Sequence, residues 1–378
     1  MEFNTAKSLN FCIGPAGLSF GHRHSLGRDP AGDGSLVAPA PPGEKVWLAK
    51  PPANPADAAG AAEYDAKDIE PLRLGDWVGI SGAAFTTGLG NVGGGGGTSL
   101  GTSLLCGLFN VRLGYWWQNG FSGASHEPLF PVQTYLFNEF TGHFDIQKND
   151  RWYLSDGGHF ENTAAYELIR RQVPFMVVAD CGADRDGTFD DIGNLVRRVR
   201  LDFGAEVEFL DDDALLAKVS EEWLAPCVQW RSEKSQKESA SKSNPAEPKT
   251  GGSDEPPAIA GRIGALADLR PFISACGRRR VRAHAAVARV TYLNSTASQS
   301  SLILFIKPGI TDDLPADLVN YQQAQEDFPQ QSTLNQFFDE PQWESYRKLG
   351  EYIADRLFAA PQTAGGKWSP GQFRNFEA

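Results

Sequence analysis

Arg151-Trp-Tyr-Leu-Ser-Asp-Gly-Gly-His-Phe-Glu-Asn162 sets one carboxylate, Asp156, between a short β-prone run and a pair of glycines. Tyr153 and Leu154 read as the last residues of a buried strand. Gly157 and Gly158 let the backbone turn and approach another group with no Cβ in the way. Asn162 suits a helix N-cap, and Thr163 to Arg171 follows as the helix, with Arg170 and Arg171 against its C-terminal dipole and Pro174 as a stop. Phe175-Met-Val-Val-Ala-Asp180 is then a short apolar run of the kind a buried parallel strand needs. The order is strand, Asp-Gly-Gly turn, helix, strand, which predicts an α/β fold with helices flanking a mixed sheet.

Downstream, Asp190 to Leu201 carries Ile192, Leu195, Val196 and Val199 on one stripe, with acids at its start and arginines near its end, as a helix lying on a sheet requires. Asp211-Asp-Asp213 reads as a solvated turn, because three consecutive carboxylates converge on one ion only in special loop geometry. Residues 231–258 hold almost no large apolar side chain and are expected to form a disordered linker. His284 to Leu293 and Leu302 to Ile306 read as a hairpin that adds edge strands to the same sheet. Pro341 to Phe358 places Tyr346, Leu349, Ile353 and Leu357 at helical spacing, and residues 361–378 are expected to be a flexible tail.

Upstream, residues 25–70 are rich in Pro, Ala and Gly and are expected to be a loop-rich insertion. Trp77 to Ile80 reads as a strand and Thr98 to Phe109 as a helix. Gly88-Leu-Gly-Asn-Val-Gly93 satisfies the spacing of a dinucleotide loop, but the next acidic residue, Glu127, comes 34 positions later, where about 20 are needed. Leu113 to Gln118, Phe130, Tyr135, Phe137 and Phe140 make the region before Asp156 unusually aromatic. Core packing is the first reading, and an acyl pocket or lipid-facing surface is the other.

The 47 acidic against 35 basic residues give a formal charge of −12, which argues against generic nucleic-acid binding. Arg278, Arg279, Arg280, Arg282 and Arg289 form a local basic rim, read as solvated before it is read as a headgroup site. No run reaches the apolar length of a membrane span, and the first residues lack the apolar core of a secretory signal, so the expected setting is cytoplasmic. Cys12, Cys106, Cys181, Cys227 and Cys276 are odd in number, widely spaced and read as free thiols. Six scattered histidines supply no zinc-ligand spacing, and no cofactor or metal is expected.

The Asp156 block resembles the Asp-Gly-Gly block of the patatin-like phospholipases. Leu74 to Phe85 is similar to the serine- and alanine-rich segment before that block, and Asp190 to Gly204 and Phe337 to Gly350 resemble segments of a large bacterial branch. The resemblance covers most of residues 8–220 and 283–358. It implies a three-layer patatin-like acyl-hydrolase fold: a hydrolase domain over 1–230, the linker 231–258, and 259–360 completing the same domain. It also implies a Ser-Asp dyad acting on phospholipid or another acyl ester, with Asp156 as general base, Gly157 and Gly158 shaping its turn, and a peripheral membrane surface as a further contact. Phospholipase, lysophospholipase, lipase and acyltransferase chemistry share these residue types.

The family keeps its nucleophile in a G-x-S-x-G elbow between strand and helix, upstream of the segments matched here. Gly17-Leu-Ser19-Phe-Gly21 has the letters, but His22 to Gly34 reads as loop where an elbow needs a helix N-terminus. Gly79-Ile-Ser81-Gly-Ala83 lacks the closing glycine. Ser19 and Ser81 are therefore candidates, and the expected nucleophile lies upstream, in missing sequence or on another chain. The alternative is an inactive fragment or pseudoenzyme that binds lipid or a partner protein. A non-catalytic interaction domain using the aromatic and arginine surfaces is the third reading.

Overall fold

The computed structural model describes residues 10–14, 17–20, 24–27, 45–49, 62–65, 72, 74–81, 114–118, 129–141, 151–219 apart from 157 and 159, 224–243, 261–293 apart from 276, 300–331 and 337–358. Two compact units divide the chain, Met1–Asn162 and Thr163–Ala378.

In the first unit β1 (Phe11–Gly14), β2 (Gly17–Phe20), β3 (His24–Gly27), β4 (Lys45–Ala49) and β5 (Ala62–Asp65) form a sheet in which each strand pairs antiparallel with the next. Three of these strands fall in or across the stretch expected to be a loop-rich insertion. Short β-prone pieces such as Lys45-Val-Trp-Leu-Ala49 were hidden there by the Pro and Gly between them. Trp77 to Ile80, expected as a strand, lies inside helix α1 (Leu74–Ser81). Thr98 to Phe109 and the glycine run before it lie outside the described residues.

β6 (Tyr115–Gln118) and β7 (Arg151–Leu154) form an antiparallel pair with Trp116 opposite Tyr153 and Trp117 opposite Trp152. Helix α2 (Pro131–Thr141) runs between them in sequence. Gly114 enters β6 with φ +147°, and a Cβ there would stand 2.3 Å from the Tyr153 hydroxyl, so both backbone and packing need glycine. Aromatic rings build the local core: Phe11 stacks on Trp77 at 5.7 Å, and Trp117 meets Trp152 edge-on at 5.9 Å. The core reading of this region therefore holds for Trp116 and Trp117, while Phe130 and Phe137 are exposed.

The second unit is a mixed α/β layer built on one five-stranded mixed sheet, with a separate antiparallel pair of β11 (Phe272–Ile273) and β12 (Arg279–Arg280). β8 (Phe175–Ala179) runs parallel to β14 (Ser300–Ile306), which is antiparallel to β13 (Ala283–Tyr292). Along its other edge β13 takes two strands end to end. β10 (Gly261–Gly264) pairs parallel with its first half, and β9 (Ala205–Phe209) pairs antiparallel with its second. The expected hairpin of β13 and β14 is present, but it forms the centre of the sheet and not its edge. The reason is visible in Ala283-His-Ala-Ala-Val-Ala-Arg-Val-Thr-Tyr292, which is buried at eight of ten positions and so serves as an internal strand.

Helix α3 spans Ala165–Arg170, shorter than the expected 163–171, and begins after Ala164 in a left-handed conformation with no side-chain cap. Asn162 therefore does not cap it. The helix α4 (Asp190–Phe203) buries Ile192, Leu195 and Val199, with Asp190 and Asp191 in its first turn, as its pattern predicts. Burial of three such side chains is worth about 1.5–3 kcal/mol each. Asp211, expected in a solvated turn, instead caps α5 (Asp212–Lys218) by accepting the Ala214 amide at 2.9 Å.

Helix α6 (Pro226–Ser243) runs through the first part of the expected disordered linker. Its first turn buries Cys227 and Val228, and Arg231 donates two hydrogen bonds each to Asp212 and Asp268. That anchored base nucleates a solvated extension whose Glu, Lys, Gln and Ala are good helix formers. Helix α7 (Ala316–Ala324) and helix α8 (Glu340–Phe358) complete the unit, and α8 buries Leu349, Ile353 and Leu357.

Candidate active site

Asp156 stands two residues beyond the end of β7 and is half-buried. Its Oδ1 accepts the Gly158 amide at 2.8 Å, closing a local Asx-type turn. A Cβ on Gly158 would come 3.0 Å from Asp156 Oδ1 and 3.3 Å from Asn162 Oδ1. The close approach expected from the glycines is thus present at Gly158, which brings Asp156 and Asn162 to one point. The role of Asn162 differs from the expected one: its Oδ1 stands against the turn, while the Ala165 amide at the start of α3 donates to Thr163 Oγ1 at 3.2 Å. Gly157 lies outside the described residues.

Ser19 sits within β2, where it pairs with Cys12 of β1 and Ser25 of β3. The G-x-S-x-G letters are therefore part of a β-meander, and the strand-to-helix turn of a nucleophile elbow is absent there. Ser81 is the exposed last residue of α1. Neither serine occupies the elbow setting in which helix amides face a developing oxyanion.

Beside the Asp156 turn, Trp116 Nε1 donates to Glu139 Oε1 at 2.7 Å, and Trp116 stacks on Tyr135 at 4.9 Å. Glu139 is fully buried on α2. A carboxylate in that position carries a structural bond to the indole and holds α2 against the β6–β7 pair.

A second polar centre lies wholly within the other unit. Asp180 directly follows β8 and Lys307 directly follows β14, and because these strands are parallel both side chains emerge at the same sheet edge. Lys307 Nζ donates to Asp180 Oδ2 at 2.7 Å and lies 3.7 Å from Asp184 Oδ2. Lys307 and Asp180 are 5% and 3% exposed, so the pair is dry. Burial works to raise the Asp184 pKa, but the amides of Phe189 and Thr188 together with Lys307 outweigh it and hold the carboxyl below its ordinary value. Sequence reading passed over this centre. The signal was present: a charge placed immediately after each of two apolar parallel-strand runs, where α/β folds gather polar groups.

Among the described residues, Cys181 and Cys227 are free thiols. Burial and the neighbouring Asp268 push the Cys227 thiol up to about 12, which makes it unreactive at neutral pH. No group of His, Cys, Asp and Glu among the described residues is arranged to hold a metal ion. No helix among them is long and apolar enough to cross a membrane. No protein-family model, curated protein or solved structure matches this chain.

Proposed function

We propose that this chain is part of a patatin-like lipid acyl-ester hydrolase in which Asp156 is the general base. The observation that carries the reading is the turn itself: a half-buried carboxylate past a strand end, oriented by the Gly158 amide, with no Cβ obstructing its approach. Asp156 takes the proton of a serine hydroxyl as its oxygen attacks the ester carbonyl. The tetrahedral intermediate then collapses, the ester C–O bond breaks, and the departing alcohol receives that proton. Water, deprotonated by the same carboxylate, releases the acid from the acyl-serine. This reading follows the resemblance in placing the serine upstream, and the position of Ser19 in a β-meander and of Ser81 at a helix end agrees with it. On this reading the sheet of the second unit belongs to a three-layer patatin-like fold, and the protein acts at the cytoplasmic membrane surface on phospholipid or lysophospholipid.

The position of Ser19 also favours a second reading, a catalytically inactive relative that binds lipid or a partner chain. Labelling with a fluorophosphonate serine probe, followed by peptide mass spectrometry, separates the two. The experiment compares the wild-type chain and Asp156→Asn, alone and together with an upstream segment carrying a G-x-S-x-G elbow. Labelling that needs the added segment and disappears in Asp156→Asn supports the dyad. Labelling of Ser19 or Ser81 would overturn the placement of the nucleophile. Labelling equal in both forms would remove Asp156 from the reaction, and no labelling of any folded combination supports the inactive reading.

A further inference from the structure

The loops that follow β8 and β14 enclose a cavity of about 40 Å³ at the C-terminal edge of that parallel pair. This is where open α/β sheets take their ligands, because loops leaving adjacent parallel strands diverge there. Its floor is apolar, from Leu269, Val281, Ile310 and Phe328. Its polar wall is cationic: Lys307 and Arg280, each 5% exposed, with Arg279 and Arg185 toward the mouth.

Each buried cation has one acid outside the cavity wall, and Lys307 also lies 3.7 Å from Asp184, which lines it. Asp180 pairs with Lys307 and Asp312 with Arg280, and neither acid belongs to the cavity wall. Asp184 does line the wall, but its carboxylate accepts the Thr188 and Phe189 amides at 2.8 and 3.0 Å. Asp327 pairs with Arg185 at 2.8 Å, and Glu326 is exposed. The donors are only partly engaged. Arg280 uses Nε toward Asp312 and Nη1 toward Arg279 O and Gln322 Oε1, which leaves Nη2. Lys307 makes one hydrogen bond of its three, to Asp180.

We propose that this cavity is a binding site for a small oxyanion bearing a short apolar group, with Arg280 and Lys307 holding the charge. A guanidinium and an ammonium, each held in place by an acid outside the cavity wall, bind a carboxylate or phosphate with little reorganisation. The apolar floor takes the substituent. The site lies entirely in Thr163–Ala378, so it stands or falls separately from Asp156.

Isothermal titration of the full chain with butyrate, inorganic phosphate and ethyl phosphate tests the assignment, with sodium chloride at matched ionic strength as the control. One of the three oxyanions should saturate at one site per chain. Arg280→Gln should weaken it by about ten- to a hundredfold, the loss expected for one charge-assisted bond. Arg279→Gln, at the more exposed mouth, keeps the test open if Arg280→Gln fails to fold, and should weaken binding several-fold. Saturation by butyrate alone identifies a carboxylate site. Preference for ethyl phosphate over inorganic phosphate identifies a phosphate monoester site that uses the apolar floor. Absence of saturable heat with all three, or affinities unchanged in a folded Arg279→Gln or Arg280→Gln protein, would overturn it.

Discussion

Asp156 and Lys307 are two charged residues that each follow a strand, and the structure treats them in opposite ways. Asp156 is held by its own turn, through an amide two residues away, and stays half-buried. Lys307 is held by partners 127 and 123 residues distant, Asp180 and Asp184, and is almost sealed from solvent. A charge anchored within its own turn ties together few distant parts of the chain and contributes little to stability. A charge held across the sheet fixes the strand ends and is costly to disturb. Substitution at the two sites should therefore separate activity from folding.

The largest loss of stability is expected from Lys307→Met. Removing the cation leaves Asp180 buried opposite an apolar group, and breaking such a pair costs about 3–5 kcal/mol. Denaturant midpoints followed by far-ultraviolet circular dichroism measure it directly. Asp156→Asn should leave the same midpoint within about 0.5 kcal/mol, because the side chain is only half-buried and the amide oxygen can still accept from Gly158. Similar midpoint shifts for the two variants would erase the distinction between them.

The second unit was the more legible in sequence, and the reason is periodicity. Ile192, Leu195 and Val199 on α4 and Leu349, Ile353 and Leu357 on α8 announce buried stripes, and those helices are found where expected. The Phe175 to Asp180 run announces a parallel strand, and β8 is one. Sheet order was not legible, since alternation says that β13 is buried but not which strands flank it. The first unit misled more often. Trp77 to Ile80 is as apolar in a helix as in a strand, and four residues are too few to show a period. At the candidate site the Asp156–Gly158 approach was readable from residue types. The contact with Asn162 was not, because the same residue type caps helices and closes turns.

Acid should widen the contrast between the units through His284. The imidazole is fully buried at the start of β13, edge-on to Tyr352 of α8 at 5.9 Å, and neither ring nitrogen has a hydrogen-bond partner. Burial, helped by Arg356, lowers its pKa from 6.5 to about 4. The unfolded chain therefore binds the extra proton first as pH falls. Stability is full above pH 6.5 and declines between there and about 4, by roughly 3 kcal/mol in total. Urea midpoints at pH 7 and pH 5 should show the decline in the wild type and a smaller one in His284→Leu. Equal pH dependence in both would assign the effect to other groups.

A smaller effect is expected from Gly114→Ala in the first unit. The substitution puts a Cβ against the Tyr153 ring at a φ of +147°, a conformation that costs a non-glycine residue about 1–3 kcal/mol. Because Tyr153 lies on the strand that ends at the Asp156 turn, the change should also lower any esterase activity of the active combination by several-fold. The Lys307 centre and its oxyanion binding should be unaffected. Activity and binding that fall together would mean the two units are coupled.

The smallest effect is expected on α6. From Ser235 to Ser239 its side chains are exposed, and the Lys237–Glu233 pair spans 4.0 Å with both partners at least 70% exposed. Such a pair contributes between nothing and about 0.5 kcal/mol. The helix is held at its base, by Arg231 between Asp212 and Asp268 and by buried Cys227 and Val228. Replacing Ser235 and Ser239 with glycine should therefore unwind the distal turns and reduce the helical signal, while the unfolding midpoint shifts by less than about 1 kcal/mol. Arg231→Ala should do the reverse, costing more stability than the two glycines together, because it leaves the 2%-exposed Asp268 without its guanidinium. If the distal glycines proved the more costly change, the exposed half of α6 would have to pack on something, and its exposed polar surface would be a contact in its own right.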